Sequence, residues 1–180
     1  SLGNICSRCM FESTIAIVAS SFVSSFNLRG DRGEFFTPRN VMKMVVEMIN
    51  PKMDERVLDS SCGTGGFLVT AMTHVIADLE REYSAQIGRN KCDWDGDSIR
   101  AFNDRISDMA SHYYFGFDIN PDLVKATKMN MVMNNDGSGN ILQTNSLLPP
   151  HEWTDEFRTK LADAIGVNKS EIRNHNTIAY

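Results

Sequence analysis

The chain has 180 residues, a net charge of −5 and a pI near 5.3, and 42% of its residues are hydrophobic. This length suffices for one domain with its own core, and no apolar run approaches the ~20 residues that a membrane-spanning helix needs. The acidic balance argues against a protein that binds the phosphates of nucleic acid by itself, so such binding would depend on a partner subunit or on further sequence.

The four cysteines are Cys6, Cys9, Cys62 and Cys92. Cys6 and Cys9 form one C-x-x-C pair, whereas a structural zinc site needs four ligands, so the sequence predicts no metal site. No signal-peptide pattern is present at the start of the sequence. Reduced thiols and a cytoplasmic location are the prediction.

The first 28 residues carry apolar side chains at spacings of three and four, which predicts a helical segment separate from the domain at 29–180. These side chains are Met10, Phe11, Ile15, Val18, Phe22 and Phe26. Further along, Thr37 stands where a helix N-cap belongs and Pro38 where the first helical residue belongs. Asn50 and Pro51 are expected to end that helix.

Short apolar strands alternate with helices through the rest of the chain. The predicted strands are 55–58, 113–119 and 140–145, and the predicted helices are about 66–87, 98–110, 121–134 and 154–165. This alternation indicates an α/β fold, in which a parallel sheet is covered by helices.

The segment DSSCGTGGF, residues 59–67, follows the first of these strands and opens a helix. Gly63, Gly65 and Gly66 allow a ligand to approach the backbone, and the helix start offers N–H groups and a positive dipole end. No Gly-Lys-Ser/Thr follows, which excludes a P-loop. Leu68 replaces the last glycine of a dinucleotide fingerprint, which argues against NAD. A tight turn without a ligand is the alternative.

Two acids end strands at the edge where such sheets bind ligands: Asp59 and Asp118. A carboxylate at a strand end can accept hydrogen bonds from both hydroxyls of a ribose. A ligand with a ribose, a base and an ammonium group but no pyrophosphate would use both acids. S-adenosylmethionine fits this description.

Four segments in order resemble successive motifs of the adenine-N6 DNA methyltransferases: GEFFTPR (33–39), LDSSCGTGGFL (58–68), GFDINP (116–121) and TNSLL (144–148). The chain is most similar to the modification subunit of type I restriction–modification systems. The resemblance implies a Rossmann-like methyltransferase sheet, present here in part as strands one to three with helices on its faces, and S-adenosylmethionine as the cofactor.

The resemblance also implies which residues bind the methionine part of the cofactor. Phe36, Thr37 and Pro38, at a helix start, would meet its carboxylate, and Asp59 would face its ammonium group. The glycine segment would let this part approach the backbone, with an aromatic ring packed nearby; its residues are Cys62, Gly63, Thr64, Gly65, Gly66 and Phe67.

For the adenosine part, the resemblance implies contacts from the next two strand ends. Asp118 would bind the ribose hydroxyls, and Ile119 and Asn120 would flank the adenine. Asn145 would hydrogen-bond the adenine edge, and the segment continues with Ser146 and Leu147.

The sequence departs from the family pattern in two places. Ser60 and Ser61 replace the usual Pro-Ala of the glycine motif, which leaves the loop less constrained. The catalytic Asn-Pro-Pro-Phe/Tyr motif has no match, since Leu148 precedes the Pro149–Pro150 pair, so the motif is expected after Tyr180 and no catalytic residue is assigned. A missing fourth strand would leave strand 55–58 with an open edge, which predicts self-association there.

The resemblance implies DNA as the substrate, recognised mainly through a specificity subunit, together with other restriction–modification subunits and no membrane. Three alternatives stay open: a non-catalytic module that binds the cofactor, a methyltransferase acting on protein or a small molecule, and a nicotinamide oxidoreductase. The F-T-P motif ahead of the glycine loop argues against the second. The absent third glycine argues against the last.

Overall fold

The structure, a computed structural model, describes residues 14–16, 37–134, 137–170 and 172. Four parallel strands form one sheet in the order β1-β2-β3-β4: β1 (Thr14–Ala16), β2 (Arg56–Asp59), β3 (Tyr114–Asp118) and β4 (Ile141–Gln143). Five α-helices are α1 (Arg39–Ile49), α2 (Gly66–Ile87), α3 (Gly96–Tyr113), α4 (Pro121–Met133) and α5 (Asp155–Ile165). The predicted α/β architecture with a parallel sheet is confirmed.

The sheet has a hydrophobic cluster on each face because alternate residues of its strands point in opposite directions. Tyr114 and Ile141 belong to the larger cluster, which packs against helices α1 to α4. Phe115, Phe117 and Leu142 point to the other face and pack against α5. Strands buried on both faces explain the continuous apolar runs in the sequence.

Residues 14–16 correct the prediction of helix over residues 1–28. They form β1, whose backbone pairs with β2 in the register Thr14↔Arg56, Ile15↔Val57 and Ala16↔Leu58. Thr14 and Ile15 are β-branched, which favours an extended backbone, and the edge of β2 supplies the pairing that a local pattern cannot reveal. The rest of residues 1–28 lies outside the described residues, and the domain boundary at 28 stays a prediction.

The same pairing corrects the expectation that strand 55–58 has an open edge. β1 and β3 pair with the two sides of β2, so the edge is covered within the same chain. Self-association through the edge of β2 is therefore not supported.

The start of α1 differs from the predicted cap by one residue. Pro38, with ψ at 140°, is the N-cap, and its carbonyl accepts the first helical hydrogen bonds from Val41 and Met42. No side chain caps this helix, so Thr37 is not the N-cap that the sequence suggested. The extended ψ of Pro38 keeps it out of the helix, which begins at Arg39.

Across the described ranges, no helix combines the length and the apolar character that crossing a bilayer requires.

Two methionines on α4 allow a direct test of the core. Met131 is fully buried and Met133 is largely exposed. We expect Met131→Ala to lower the free energy of unfolding by about 2–5 kcal/mol because it leaves a cavity. Met133→Ala is expected to change it by less than about 0.5 kcal/mol. Urea denaturation measures both, and equal effects would contradict the described packing of α4.

Candidate functional site

The loops that follow β2, β3 and β4 are joined to one another at the carboxyl edge of the sheet. The N–H of Gly63, in the loop after β2, donates to Asp118 Oδ2 at the end of β3 at 2.9 Å. The hydroxyl of Ser146, after β4, donates to the carbonyl of Ser60 at 2.7 Å. The structure therefore brings together three of the segments that the sequence singled out.

Asp59 ends β2 as a buried carboxyl, 1% exposed. Its Oδ1 accepts the N–H of Ser61 at 3.1 Å, whereas Oδ2 is buried without a hydrogen-bond partner. Burial raises the pKa of Asp59 to about 7; the Ser61 N–H opposes the shift and the charge of Asp118 adds to it. A buried carboxyl with one unpaired oxygen is a group that an external cation can stabilise.

The glycine loop turns sharply between β2 and α2. Gly63 has φ of 55° and Gly65, the N-cap of α2, has φ of 82°, a left-handed region that glycine adopts without strain. The Gly65 N–H donates to the Cys62 carbonyl at 2.7 Å, and the Cys62 N–H donates to the Phe117 carbonyl at 2.8 Å. The loop is thereby fastened to the end of β3.

Helix α1 lies against the start of α2. A Cβ at Gly66 would stand 2.8 Å from Met42 Sδ, so the Met42 side chain packs directly on the backbone of Gly66. Thr37 and Pro38 therefore precede a helix that touches the glycine segment, while Phe36 lies outside the described residues. Phe67, the next residue of α2, is buried in the larger core cluster.

Asp118 uses both carboxylate oxygens within the site. Oδ2 accepts the Gly63 N–H, and Oδ1 accepts the Asn120 N–H at 2.8 Å. Asn120 then caps α4, since its side-chain oxygen accepts the Asp122 N–H at 2.9 Å. An ionised carboxylate has about four acceptor positions, so Asp118 can still accept the two hydroxyls of a diol.

Beyond Asp118 the edge presents apolar and amide groups. Ile119 is 65% exposed and Leu147 is 93% exposed, high values for such large apolar side chains. Asn145 Oδ1 accepts the Leu147 N–H at 3.1 Å, which leaves its amide nitrogen as the available donor. A cavity of about 600 Å³ includes Ile119, Asn145 and Trp153 in its wall.

Three residues that support the site were not identified from the sequence. Thr127 Oγ1 on α4 donates to the Gly63 carbonyl at 2.6 Å, and Asn130 Nδ2 donates to the Thr64 carbonyl at 3.0 Å. Trp153 Nε1 donates to the Asn145 carbonyl at 3.2 Å. The one available signal was Thr127 itself, a polar residue in register with the apolar positions of α4.

The described cysteines are free thiols. Cys62 is buried with its Sγ 3.8 Å from Thr127 Oγ1, and burial raises the pKa of its thiol to about 12. Such a thiol stays protonated and does not act as a nucleophile at neutral pH. Cys62 is therefore a packing residue of the loop; Cys6 and Cys9 lie outside the described residues.

Gly65→Ala tests the geometry of the loop. The added Cβ would meet Thr127 Cγ2 at 2.9 Å, and φ of 82° is unfavourable for alanine. We expect a loss of about 1–3 kcal/mol in the free energy of unfolding, measured in urea. Gly139→Ala is the control because a Cβ there meets nothing within 4 Å. Equal stability of the two variants would contradict the described loop.

The residues present fit S-adenosylmethionine. The unpaired Asp59 oxygen suits an ammonium group, the bare backbone at Gly63 and Gly65 admits a close ligand, and Asp118 keeps free acceptor positions. A dinucleotide is fitted less well, because Leu68 is fully buried beneath Gly116 where the third glycine of that fingerprint would stand.

Comparison with known proteins supports one family. The chain is 52% identical over 46 residues to the type I restriction enzyme EcoEI methylase subunit of Escherichia coli, which covers 26% of this chain and 9% of the relative. It is 25% identical over 137 residues to the type II restriction enzyme and methyltransferase RM.BcgI of Heyndrickxia coagulans, covering 76% of this chain and 17% of the relative. The chain thus spans less than a fifth of the length of either.

A solved structure is also similar: the modification subunit of a putative type I restriction enzyme from Vibrio vulnificus YJ016. Identity is 27%, coverage is 71% of this chain and 22% of that one, and the TM-score is 0.44. The family described as N-6 DNA Methylase matches residues 20–170, most of the sequence and all three loops of the site. The chain belongs to the N-6 DNA methylase family.

Proposed function

We propose that this chain is the S-adenosylmethionine-binding part of a modification subunit that methylates the exocyclic amine of adenine in DNA, within a type I restriction–modification system. The observation that carries the proposal is the junction of Asp59, the glycine loop and Asp118 at one sheet edge, in a chain of the N-6 DNA methylase family. When bound, the cofactor supplies an activated methyl group.

The methionine part would lie over the start of α2. The Asp59 carboxylate would bind the ammonium group, which replaces the proton that this buried carboxyl otherwise retains near pH 7. The starts of α1 and α2, with Phe36, Thr37 and Pro38 before α1, would attract the methionine carboxylate through their N–H groups and dipoles.

The adenosine part would lie across the ends of β3 and β4. Asp118 would accept the ribose hydroxyls, and the exposed side chain of Ile119 would cover one face of the adenine, beside Asn120. The free amide nitrogen of Asn145 would donate to a ring nitrogen of adenine, with Ser146 and Leu147 completing that segment.

Substrate and partners follow from the same proposal. The target adenine would leave the DNA helix to reach the cofactor, as base-modifying enzymes require. Because the chain is acidic, DNA recognition would come mainly from a specificity subunit. The free thiols of the described residues suit a cytoplasmic location.

Calorimetric titration of the chain with S-adenosylmethionine, NAD and ATP tests the proposal. We expect saturable binding of one S-adenosylmethionine per chain and no binding of NAD or ATP at the same concentrations. Binding of NAD in preference would favour an oxidoreductase and overturn the proposal. In the longer modification subunit with its specificity partner, N6-methyladenine in digested DNA, detected by mass spectrometry, identifies the methylated base.

A further inference from the structure

Two side chains of α4 bind successive carbonyls of the glycine loop. Thr127, fully buried, donates its hydroxyl to the Gly63 carbonyl at 2.6 Å, and half-buried Asn130 donates its amide to the Thr64 carbonyl at 3.0 Å. A spacing of three places both on one side of the helix. Asn134, one turn later, donates to Asn130 Oδ1 at 3.2 Å and so orients that amide.

Gly63 is held at both of its backbone groups. Its N–H donates to Asp118 Oδ2 at 2.9 Å, and its carbonyl accepts from Thr127. Asp118 stands three residues ahead of Pro121, the first residue of α4. The end of β3 and the helix that follows it therefore act together on one residue of the loop.

The orientation of the next peptide group follows from this contact. In a trans peptide the carbonyl and the N–H point in opposite directions. Because the Gly63 carbonyl points to Thr127, the Thr64 N–H points away from α4. Within the described part of the chain this N–H has no hydrogen-bond acceptor, so it is available to a ligand.

We propose that Thr127 and Asn130 are positioning residues for the cofactor loop: they turn its carbonyls toward α4 and direct the Thr64 N–H to the amino-acid part of the cofactor. The inference rests on the proposed function and adds two residues that orient the loop from a neighbouring helix. Neither residue needs to touch the cofactor.

The methyl and the hydroxyl of Thr127 have separable effects. The methyl lies against Gly65, where a built Cβ would be 2.9 Å away, and the hydroxyl bonds to Gly63. Thr127→Val keeps the shape and removes the donor, whereas Thr127→Ser keeps the donor and removes the methyl. Asn130→Asp removes the second donor with little change in shape. Because Asn130 is less buried than Thr127, this variant is expected to fold even if Thr127→Val does not.

Amide hydrogen exchange of the protein without cofactor tests the positioning directly. We expect the Gly63 N–H to exchange about tenfold faster in Thr127→Val, the factor that corresponds to ~1.4 kcal/mol. Thr127→Ser is expected to retain protection close to the parent protein. Thr73→Val is the matched control, because that hydroxyl bonds only to a carbonyl of its own helix, Val69 at 2.8 Å, and exchange at Gly63 should not change.

Binding of two ligands provides the second readout. We expect Thr127→Val and Asn130→Asp to weaken S-adenosylmethionine about tenfold and to weaken methylthioadenosine, which lacks the amino-acid part, by less than about threefold. Rescue by Thr127→Ser supports the hydroxyl as the cause. A purely structural role would weaken both ligands alike and lower thermal stability in step.

Three results would overturn the inference: parent-like exchange and affinity in Thr127→Val, a loss in Thr127→Ser as large as in Thr127→Val, or equal weakening of both ligands in step with thermal stability. A parent protein that does not bind S-adenosylmethionine would overturn the proposed function instead. In that case the exchange of Gly63 still decides whether Thr127 positions the loop.

Discussion

Replacing Asp118 with alanine is expected to weaken S-adenosylmethionine binding by about 1–3 kcal/mol, roughly 5- to 150-fold in Kd. Two effects combine. The ribose loses its acceptor, and the N–H groups of Gly63 and Asn120 lose the carboxylate that holds them. The loop after β2 and the start of α4 then both lose an anchor, so we expect faster amide exchange at Gly63 as well.

Asp122→Ala is the matched control for this prediction. Asp122 lies in the first turn of the same helix, and its side chain is 84% exposed beside Lys125. A surface carboxylate near a helix start contributes only about 0.3–1 kcal/mol to stability, so Asp122→Ala should fold. Because Asp122 is not one of the predicted cofactor contacts, affinity should stay unchanged. Unaltered affinity in a folded Asp118→Ala variant would remove Asp118 from the site.

Asp59→Asn is expected to remove the pH dependence of cofactor binding along with most of the affinity. Because the pKa of Asp59 is raised to about 7, binding an ammonium group below that pH requires the carboxyl to release its proton. In the parent protein, affinity should therefore fall up to tenfold per pH unit from pH 7 to 5.5 and level off above pH 7. Methylthioadenosine, without the ammonium group, should show no such fall.

The free energy of unfolding is expected to fall as the pH rises, whereas the affinity for the cofactor is expected to rise. The folded protein retains the Asp59 proton up to about pH 7, whereas the unfolded chain releases it near the ordinary aspartate pKa of 3.8. Between these values the folded state binds more protons, so its stability falls as pH rises and levels off above 7. The total fall is on the order of 2–4 kcal/mol, and it should be absent from Asp59→Asn.

Two ionisable groups lie near Asp59, and a control variant must leave both of them unchanged. Asp118 adds to the upward shift, and the Cys62 thiol stays neutral because its own pKa is about 12. Asp104→Asn, at an exposed position on α3, should keep the slope of the parent protein. Urea denaturation at pH 5 and pH 8 measures the slope; equal slopes in the parent and Asp59→Asn would contradict the described burial.

The elements that sequence reasoning predicted well are those whose signal is local. β2, β3 and β4 follow from short apolar runs, and α2 and α4 begin where a glycine segment and Pro121 indicate. Asp59 and Asp118 were singled out because each ends an apolar strand. Parallel strands bring those positions to one edge, so the approximate site followed from the fold class.

The features that sequence reasoning missed depend on distant contacts. β1 lies in a stretch with helical spacing and becomes a strand through its pairing with β2, about 40 residues later in the chain. Thr127 and Asn130 contact the loop across sequence separations of 64 and 66 residues. Nothing in the pattern of α4 specifies which carbonyl a buried threonine will meet.

The hydrogen-bond partners of the site residues could not be predicted from the sequence either. The sequence led to the prediction that Asp118 binds the ribose, but it did not indicate that Asp118 accepts two backbone N–H groups. The family resemblance likewise predicted an adenine contact for Asn145 without indicating that the Leu147 N–H donates to its side-chain oxygen. The places of Asp118 at the end of β3 and of Asn145 just after β4 were predictable, whereas the hydrogen-bond partner of each polar atom required coordinates.

A crystal structure of the chain with S-adenosylmethionine would show directly which residues bind the cofactor. We expect the methionine ammonium within hydrogen-bond distance of Asp59, the ribose hydroxyls on Asp118, and the Thr64 N–H donating to the amino-acid part. A cofactor bound elsewhere, or bound here with Asp59 and Asp118 both out of contact, would contradict this expectation.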